Sequence, residues 1–583
     1  MKKDRILTAL LLSIIMMLVP NMLRADDAIS QIRILGGELS NSAATSVKDI
    51  EEVLPRMKTL GLNTVLMPVY WELLEPVEDE MDFTLVDGAI DVARQQGLKI
   101  VPLWFGAWKN SMSCYAPGWF KQSPKRFPRA MTAEGKQMEI ASCFSDDVLQ
   151  ADLKAFSALM RHIKERDPQR EVVIMMQIEN EIGMLESARD HSPLAEKAYR
   201  QERWAERYGT DEYADEKFMA LSYARYVEHL ARAAREIHDM PLYVNAAMNS
   251  RGRRPGEYPS AGPLAHLIDF WHEGAPSIDL LDPDIYDTGF KMWCAQYAMP
   301  LRPQDGGKIK NRLFIPESRC CENSGVRALY AFGEHQALGF SPFAIDQASP
   351  EETESVTKAY SLLRQVSHVK QTENTWGLLF DQEDRERIIS DEGVMITSRH
   401  FFTLPWDPRA TDGSTWPEGG AMLIRLGKYD YLLAGSGVVV DFKTPTEKQQ
   451  EEKKQLGEDG FAGGADQRDD RHRTEIWCLM LSDRYRVGHR QGYAAHHRSH
   501  KGASRRRGRR GCQDSTDCRR GYSSRSTCRC YRHRYPWRLG TQYGVIFIGT
   551  RITINCSLIF QEFLFLIIRV QFVVIRVKQK YEN

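Results

Sequence analysis

Short apolar runs rich in β-branched residues recur eight times between Ile32 and Asp346, and amphipathic stretches of helical length separate many of them. The runs cover 32–36, 64–70, 99–105, 171–178, 242–246, 278–285, 312–315 and 339–345. Helical patterns cover 49–60, 85–96, 146–165, 215–238 and, after the last run, 350–367. Strands alternating with helices specify parallel βαβ units, with the helices packed outside the sheet. Eight such units in one domain predict an α/β fold, a (β/α)8 TIM barrel over 26–370; an open doubly wound sheet is the alternative.

From about Thr372 the helical pattern stops, and strand-like segments at 387–390, 393–397, 421–425 and 431–442 predict a smaller all-β, sandwich-like domain over 371–474. A charged run at 447–454 and a glycine-rich stretch at 457–464 read as surface linker. Beyond Thr474 an arginine-rich stretch with irregular cysteines leads into an apolar segment interrupted by Arg551, Arg569 and Arg576. Neither a nucleic-acid tail nor a membrane anchor suits that pattern. The expectation for 475–583 is an aberrant, disordered tail translated after a frameshift. At the other end, a basic start, the apolar run Ile6 to Val19 and Ala25 before two aspartates predict a signal peptide at 1–25. Export to the periplasm or the exterior follows. The 11 cysteines form no regular disulfide framework, and the formal net charge of +0 gives no reason to expect nucleic acid as a partner. No phosphate-binding loop or metal-ligand spacing stands out, so neither cofactor nor metal is expected.

Polar and aromatic residues gather where the strand runs end: Glu38 and Asn41, Trp71, Trp108, Glu179-Asn180-Glu181, Asn245, Asp284 to Tyr286, Glu317 and Asp346. The C-terminal strand ends are where a barrel builds its site. Taken singly, a glutamate after a strand is as readily a helix cap or a surface ion pair. An Asn-Glu after the fourth run and a second glutamate after the seventh fit the two carboxyls that flank a glycosidic bond during hydrolysis. Glu181 is the candidate proton donor and Glu317 the candidate nucleophile, with Arg319 placed to keep the latter ionised. Tyr286 can reach Glu317 from the end of the sixth run. Trp71, Trp104, Trp108 and Trp271 are candidates for stacking on sugar faces.

Three motifs, 36–42 (Gly-Gly-Glu-Leu-Ser-Asn-Ser), 177–181 (Gln-Ile-Glu-Asn-Glu) and 316–319 (Pro-Glu-Ser-Arg), together resemble glycoside hydrolase family 35. The likeness runs from about residue 30 to 470 and extends to bacterial members with an uncharacterised β-rich C-terminal domain. It implies a retaining enzyme that removes terminal β-linked galactose from oligo- or polysaccharides. In it Glu181 matches the acid/base, Glu317 the nucleophile, and Glu179 and Asn180 sugar-contacting positions. Another β-glycoside preference, or an inactive carbohydrate-binding protein, is the alternative. The partner expected is a carbohydrate substrate, with no stable membrane span. Retention requires carboxyls about 5–5.5 Å apart.

Overall fold

The computed structural model describes residues 32–298, 311–368, 374–443, 447, 478–480 and 573–576. The expected signal peptide and nearly all of the expected aberrant tail lie outside them. No helix among the described residues is long and apolar enough to cross a membrane.

Eight parallel strands form the first sheet: β1 (Ile34–Leu35), β2 (Thr64–Tyr70), β3 (Lys99–Phe105), β4 (Met176–Gln177), β5 (Leu242–Ala247), β6 (Leu280–Ile285), β7 (Phe314–Ser318) and β8 (Gly339–Pro342). Their spatial order is β1-β8-β7-β6-β5-β4-β3-β2. The ring closes between β1 and β2, where Asn63 N–H donates to Leu35 O, Leu66 N–H to Gly37 O and Leu39 N–H to Leu66 O, each at 3.0 Å. The Asn63 side chain completes the seam, accepting from Leu35 N–H and donating to Arg33 O, both at 2.8 Å. Closure selects the barrel over the open sheet.

The helices Val47–Thr59, Thr84–Gln96, Asp146–Arg166, Glu212–Ile237 and Pro350–Gln365 lie where their periodicity puts them. Four of them begin at a side-chain cap, on Ser46, Ser145, Asp211 and Ser349, and Glu352 completes a capping box at the last. The fourth strand is much shorter than the apolar run at 171–178. Asp167 takes the Glu171, Val172 and Val173 N–H groups at 3.0, 2.8 and 2.8 Å, removing them from the ladder. At the other end, Glu179 turns left-handed (φ 58°). A hairpin, Arg129–Met131 with Gln137–Ala141, interrupts the β3-to-β4 connection and was not legible in the pattern.

Two smaller sheets follow. One contains β9 (Thr375–Phe380), β12 (Gly419–Arg425) and β13 (Asp430–Ser436); the other contains β10 (Glu386–Asp391), β11 (Val394–His400) and β14 (Val438–Lys443). Short strands at Cys478–Met480 and Val573–Arg576 both pair with β13. Leu378, Ile396, Leu423 and Leu433 bury their side chains in a core of their own. The single run read at 431–442 is two strands, because Gly437 (φ 72°) breaks it and sends its halves to different sheets.

The helix Ser324–Glu334, which follows β7, fastens the barrel to these sheets. Arg327 grips Glu418 through two bonds of 2.8 and 2.6 Å, and Arg387 grips Glu334 through two of 2.7 and 3.0 Å. The Arg327 and Glu418 side chains are only 12% and 17% exposed. Arg327→Ala strands a largely buried carboxylate and should cost about 2–4 kcal/mol in urea unfolding. The Arg327→Ala/Glu418→Ala pair should lose clearly less than the sum of the single losses. Strict additivity would mean the contact contributes nothing. Lys48→Ala breaks a pair exposed by 81% and 68%, so its effect should stay under about 0.5 kcal/mol.

Candidate active site

The strand ends bring three carboxyls together at the mouth of the barrel. One oxygen each of Glu181, Asp284 and Glu317 lies within 4.8 Å of the others. The Tyr286 hydroxyl donates to Glu317 at 2.8 Å, and Asn180 Nδ2 donates to the other Glu317 oxygen at 3.4 Å. Asn245 bridges two elements: its Oδ1 accepts the Glu181 N–H at 2.9 Å and its Nδ2 donates to Asp284 at 2.7 Å. Asn110 donates to the Glu181 carboxyl. The cluster is thus set in hydrogen-bond donors, and no histidine or cysteine among the described residues joins it.

The backbone that presents Glu181 is held in a sparsely populated conformation. Glu179, Glu181, Asn110 and Ser111 all have positive φ, at 58°, 48°, 51° and 56°. Non-glycine residues there cost about 1–3 kcal/mol each unless the surroundings impose the shape. Here they do. Asn180 N–H donates to Trp108 O, Asn110 N–H to Asn180 O and Ser111 N–H to Glu181 O, locking the two turns together. The Glu179 carboxyl takes the Trp108 N–H at 2.7 Å and meets Asp152 behind the strand. Asp152 in turn accepts from Trp104 Nε1 at 2.8 Å and from the Tyr226 hydroxyl at 2.7 Å. Gly106 is required beside this network, since a Cβ there would stand 2.2 Å from Trp104 Nε1 and 2.9 Å from Asp152.

Burial dominates the electrostatics. It raises Glu181 to about 7, with the nearby Glu317 charge adding to the shift and Lys109 opposing it. Glu38 is pushed well above the carboxylate range by burial and then by Glu317, again against Lys109. Burial likewise raises Asp284, Glu179 and, deeper in the barrel, Asp282. Lys109 is itself 2% exposed and is the cation that acts on Glu38 and Glu181.

Several expected contacts are corrected by this geometry. Glu179 does not face the mouth: its left-handed backbone breaks the two-residue alternation and turns the carboxyl onto Asp152. Trp71 is enclosed by Trp104, Trp119 and Phe120 and spends its indole N–H on Glu75, so it is core. Trp108 packs edge-on against Tyr223 and Tyr226, and its backbone N–H, not its ring face, serves the site. Trp104 and Trp271 are fully buried with their indoles bonded to Asp152 and to Ala261 O. Arg319 is exposed and forms no ion pair with Glu317; Lys109 is the cation at the site instead. Glu38, Asn180, Asn245 and Tyr286 do converge on the catalytic candidates. Asn41 lies beside the mouth, its carbonyl accepting from Tyr115 and its buried Oδ1 without a partner.

Asn110, Lys109 and Asp152 were not among the expected site residues, and Asp284 was named at a strand end without a role. Asp284 had a readable signal: Asp282 and Asp284 alternate by two and share the inner face of β6, and Tyr286 continues the alternation just past its end. Asn110 and Asp152 had none, because a turn and a distant helix bring them in.

Asp282 has one oxygen on Phe314 N–H at 3.1 Å and the other without a partner. Its raised native pKa means that the folded chain keeps a proton that the unfolded chain releases above about pH 4. Its contribution to stability therefore falls as pH rises above that point, until the native group itself ionises. Asp282→Asn removes this penalty. The thermal midpoint of the variant minus that of the wild type should grow more positive between about pH 4 and 8. A flat difference would mean that Asp282 folds as a carboxylate.

A domain of unknown function, DUF5597, matches residues 356–470, and the glycoside hydrolase family 42 model, described as beta-galactosidase, matches residues 42–227. The second match includes Glu181 and stops before Glu317. A curated beta-galactosidase from Thermus thermophilus is 28% identical over 279 residues, which are 43% of this chain and 40% of that protein. The chain thus aligns with less than half of that relative's length. Among solved structures, the beta-galactosidase of the psychrophilic Marinomonas ef1 is 14% identical, covering 57% of this chain and 60% of that one at a TM-score of 0.42. That of Bacillus circulans sp. alkalophilus is 15% identical over 57% and 56%, at 0.43. The matching model is that of family 42, not the family 35 that the short motifs resemble. The likeness is to β-galactosidases.

Proposed function

We propose that the chain is a retaining glycoside hydrolase that removes terminal β-linked galactose. The observation that carries this is the approach of Glu181 and Glu317, oxygen to oxygen within 4.8 Å, from the ends of opposed parts of one closed barrel. An inverting site needs carboxyls about 6.5–9.5 Å apart to seat a water between acid and sugar. This spacing suits direct attack instead. Glu181, kept protonated by its buried setting, gives its proton to the leaving oxygen as Glu317 attacks the anomeric carbon and the glycosidic C–O bond breaks. Glu181 then takes a proton from the water that releases the sugar from Glu317. Tyr286 and Asn180 hold the two Glu317 oxygens, and Asn180 Oδ1, which has no partner, is placed to accept from a sugar hydroxyl.

The family 42 match and the Thermus relative support the galactoside; the assignment of roles rests on the positions of Glu181 and Glu317. Export follows from the N-terminal segment, and secretion of a reporter fused behind residue 25 tests it.

Hydrolysis of a panel of aryl β-glycosides tests the activity. The β-galactoside should be cleaved fastest, and Glu181→Ala and Glu317→Ala should each lower kcat on the order of 10²–10⁴-fold. Azide should rescue both, giving the β-azide with the first variant and the α-azide with the second. Refusal of every sugar by folded protein would reject the reading. Because Glu181 is raised, it holds its proton below about 7, and kcat/KM should fall as pH rises through that value. Glu181→Ala, assayed on an activated aryl glycoside, should lose this basic limb.

A further inference from the structure

Asp284 sits where a charge has no reason to be. It lies near the end of β6 with 1% exposure, facing Glu181 from beyond β4, Glu317 from β7 and Glu38 from beyond β1. The other titratable groups turned towards it are the phenols of Tyr243, Tyr286 and Tyr297. Lys109, the cation of the pocket, acts on Glu38 and Glu181. Asp284 Oδ2 accepts from Asn245, but Oδ1 has no donor. An ionised Asp284 would therefore place a poorly compensated negative charge among the other carboxyls of a desolvated mouth. A neutral carboxyl, by contrast, has one hydrogen to give, and its neighbour is the Glu181 carboxyl. Asn245 fixes the pair, holding the Asp284 side chain with its amide hydrogens and the Glu181 backbone with its oxygen.

We propose that Asp284 is a positioning residue that keeps its own proton throughout turnover and hydrogen-bonds Glu181 each time that group becomes a carboxylate. This rests on the acid/base role given to Glu181 above. When Glu181 passes its proton to the leaving oxygen, its O–H bond breaks and its negative charge appears next to the Asp284 hydroxyl. That hydrogen bond strengthens as the transition state forms, while Asp284 loses nothing. When Glu181 takes a proton from water in the second step, the bond weakens again. A donor already aimed at a charge that appears only during reaction favours the transition state over the resting enzyme.

The test is Asp284→Asn against Asp284→Ala in the full chain. Asparagine keeps an N–H for Glu181 and an oxygen for Asn245. It should retain kcat within about threefold and leave the basic limb of kcat/KM within about 0.3 pH units of wild type, since no charge has been removed. Alanine removes the donor: kcat should fall at least about tenfold on a substrate with a poor leaving group, and the basic limb should move up. Retention of the asparagine variant also guards against a packing explanation for the alanine result. If Asp284 were a carboxylate, Asp284→Asn would relieve a like charge and move the basic limb down by about one unit or more, and the proposal falls. Infrared difference spectra of wild type minus Asp284→Asn at pH 7 read the proton directly. A protonated-carboxyl band present only in wild type is expected, and its absence overturns the idea. If no aryl glycoside is cleaved by wild type, the enzymatic reading fails by itself, and the infrared result still decides the state of Asp284.

Discussion

Closure of the ring between β1 and β2 is the constraint on which the site depends. Eight strand ends face a common point only when the sheet has no edge, and here the last seam is closed by backbone bonds plus one asparagine side chain, Asn63. Glu38 lies in that seam, bridging to Leu66 on one side and Phe343 on the other. The same step that closes the barrel therefore delivers a carboxylic acid to its centre, next to Glu317. With β1 reduced to two residues, little else fixes the approach. Tyr360, donating to both Gly36 O at 2.8 Å and Phe340 O at 2.6 Å, braces it from the outer helix.

The second dependence runs through the left-handed turns after β3 and β4. A strand that continued regularly through Glu179 and Glu181 would point both carboxyls to one face. Two residues at positive φ separate them, sending Glu179 back to Asp152 and Glu181 to the mouth. The strain is offset by the Glu179 bond to Trp108 N–H and by the backbone pairing of the two turns. One acid is thus consumed as scaffold so that the next can be presented at the mouth.

This difference marks the limit of what could be read from the chain. Strand and helix order follow from hydrophobic periodicity, which burial on the barrel interior and helix inner faces enforces over many residues, so they were legible. Glu181, Glu317 and Tyr286 were legible because each stands at the end of such a run. The role of Glu179 was not, because backbone handedness at one residue leaves no periodic trace. The tryptophans misled for a related reason: a large ring near a strand end fills either the mouth or the layer between strand and helix, and composition does not separate the two. Lys109 was visible as a residue but not as the counter-cation. A lysine beside a tryptophan reads as surface until packing on the Phe105 ring, 4.8 Å from its nitrogen, shows it turned inward.

The balance of charge in the mouth ties stability to chemistry. Glu38, Glu181, Asp284 and Glu317 crowd together and Lys109 acts on the first two, so the pocket cannot hold all four as carboxylates in a desolvated setting. Protons must stay on most of them, and the donors present determine which is free of one. Glu317 receives two hydrogen bonds, from Tyr286 and Asn180, and is the member best provided to carry a negative charge. Glu38 receives none among the described residues, and Asp284 has one bare oxygen. The crowding that makes each acid costly to ionise thus meets an uneven supply of donors, richest at Glu317 and poorest at Glu38.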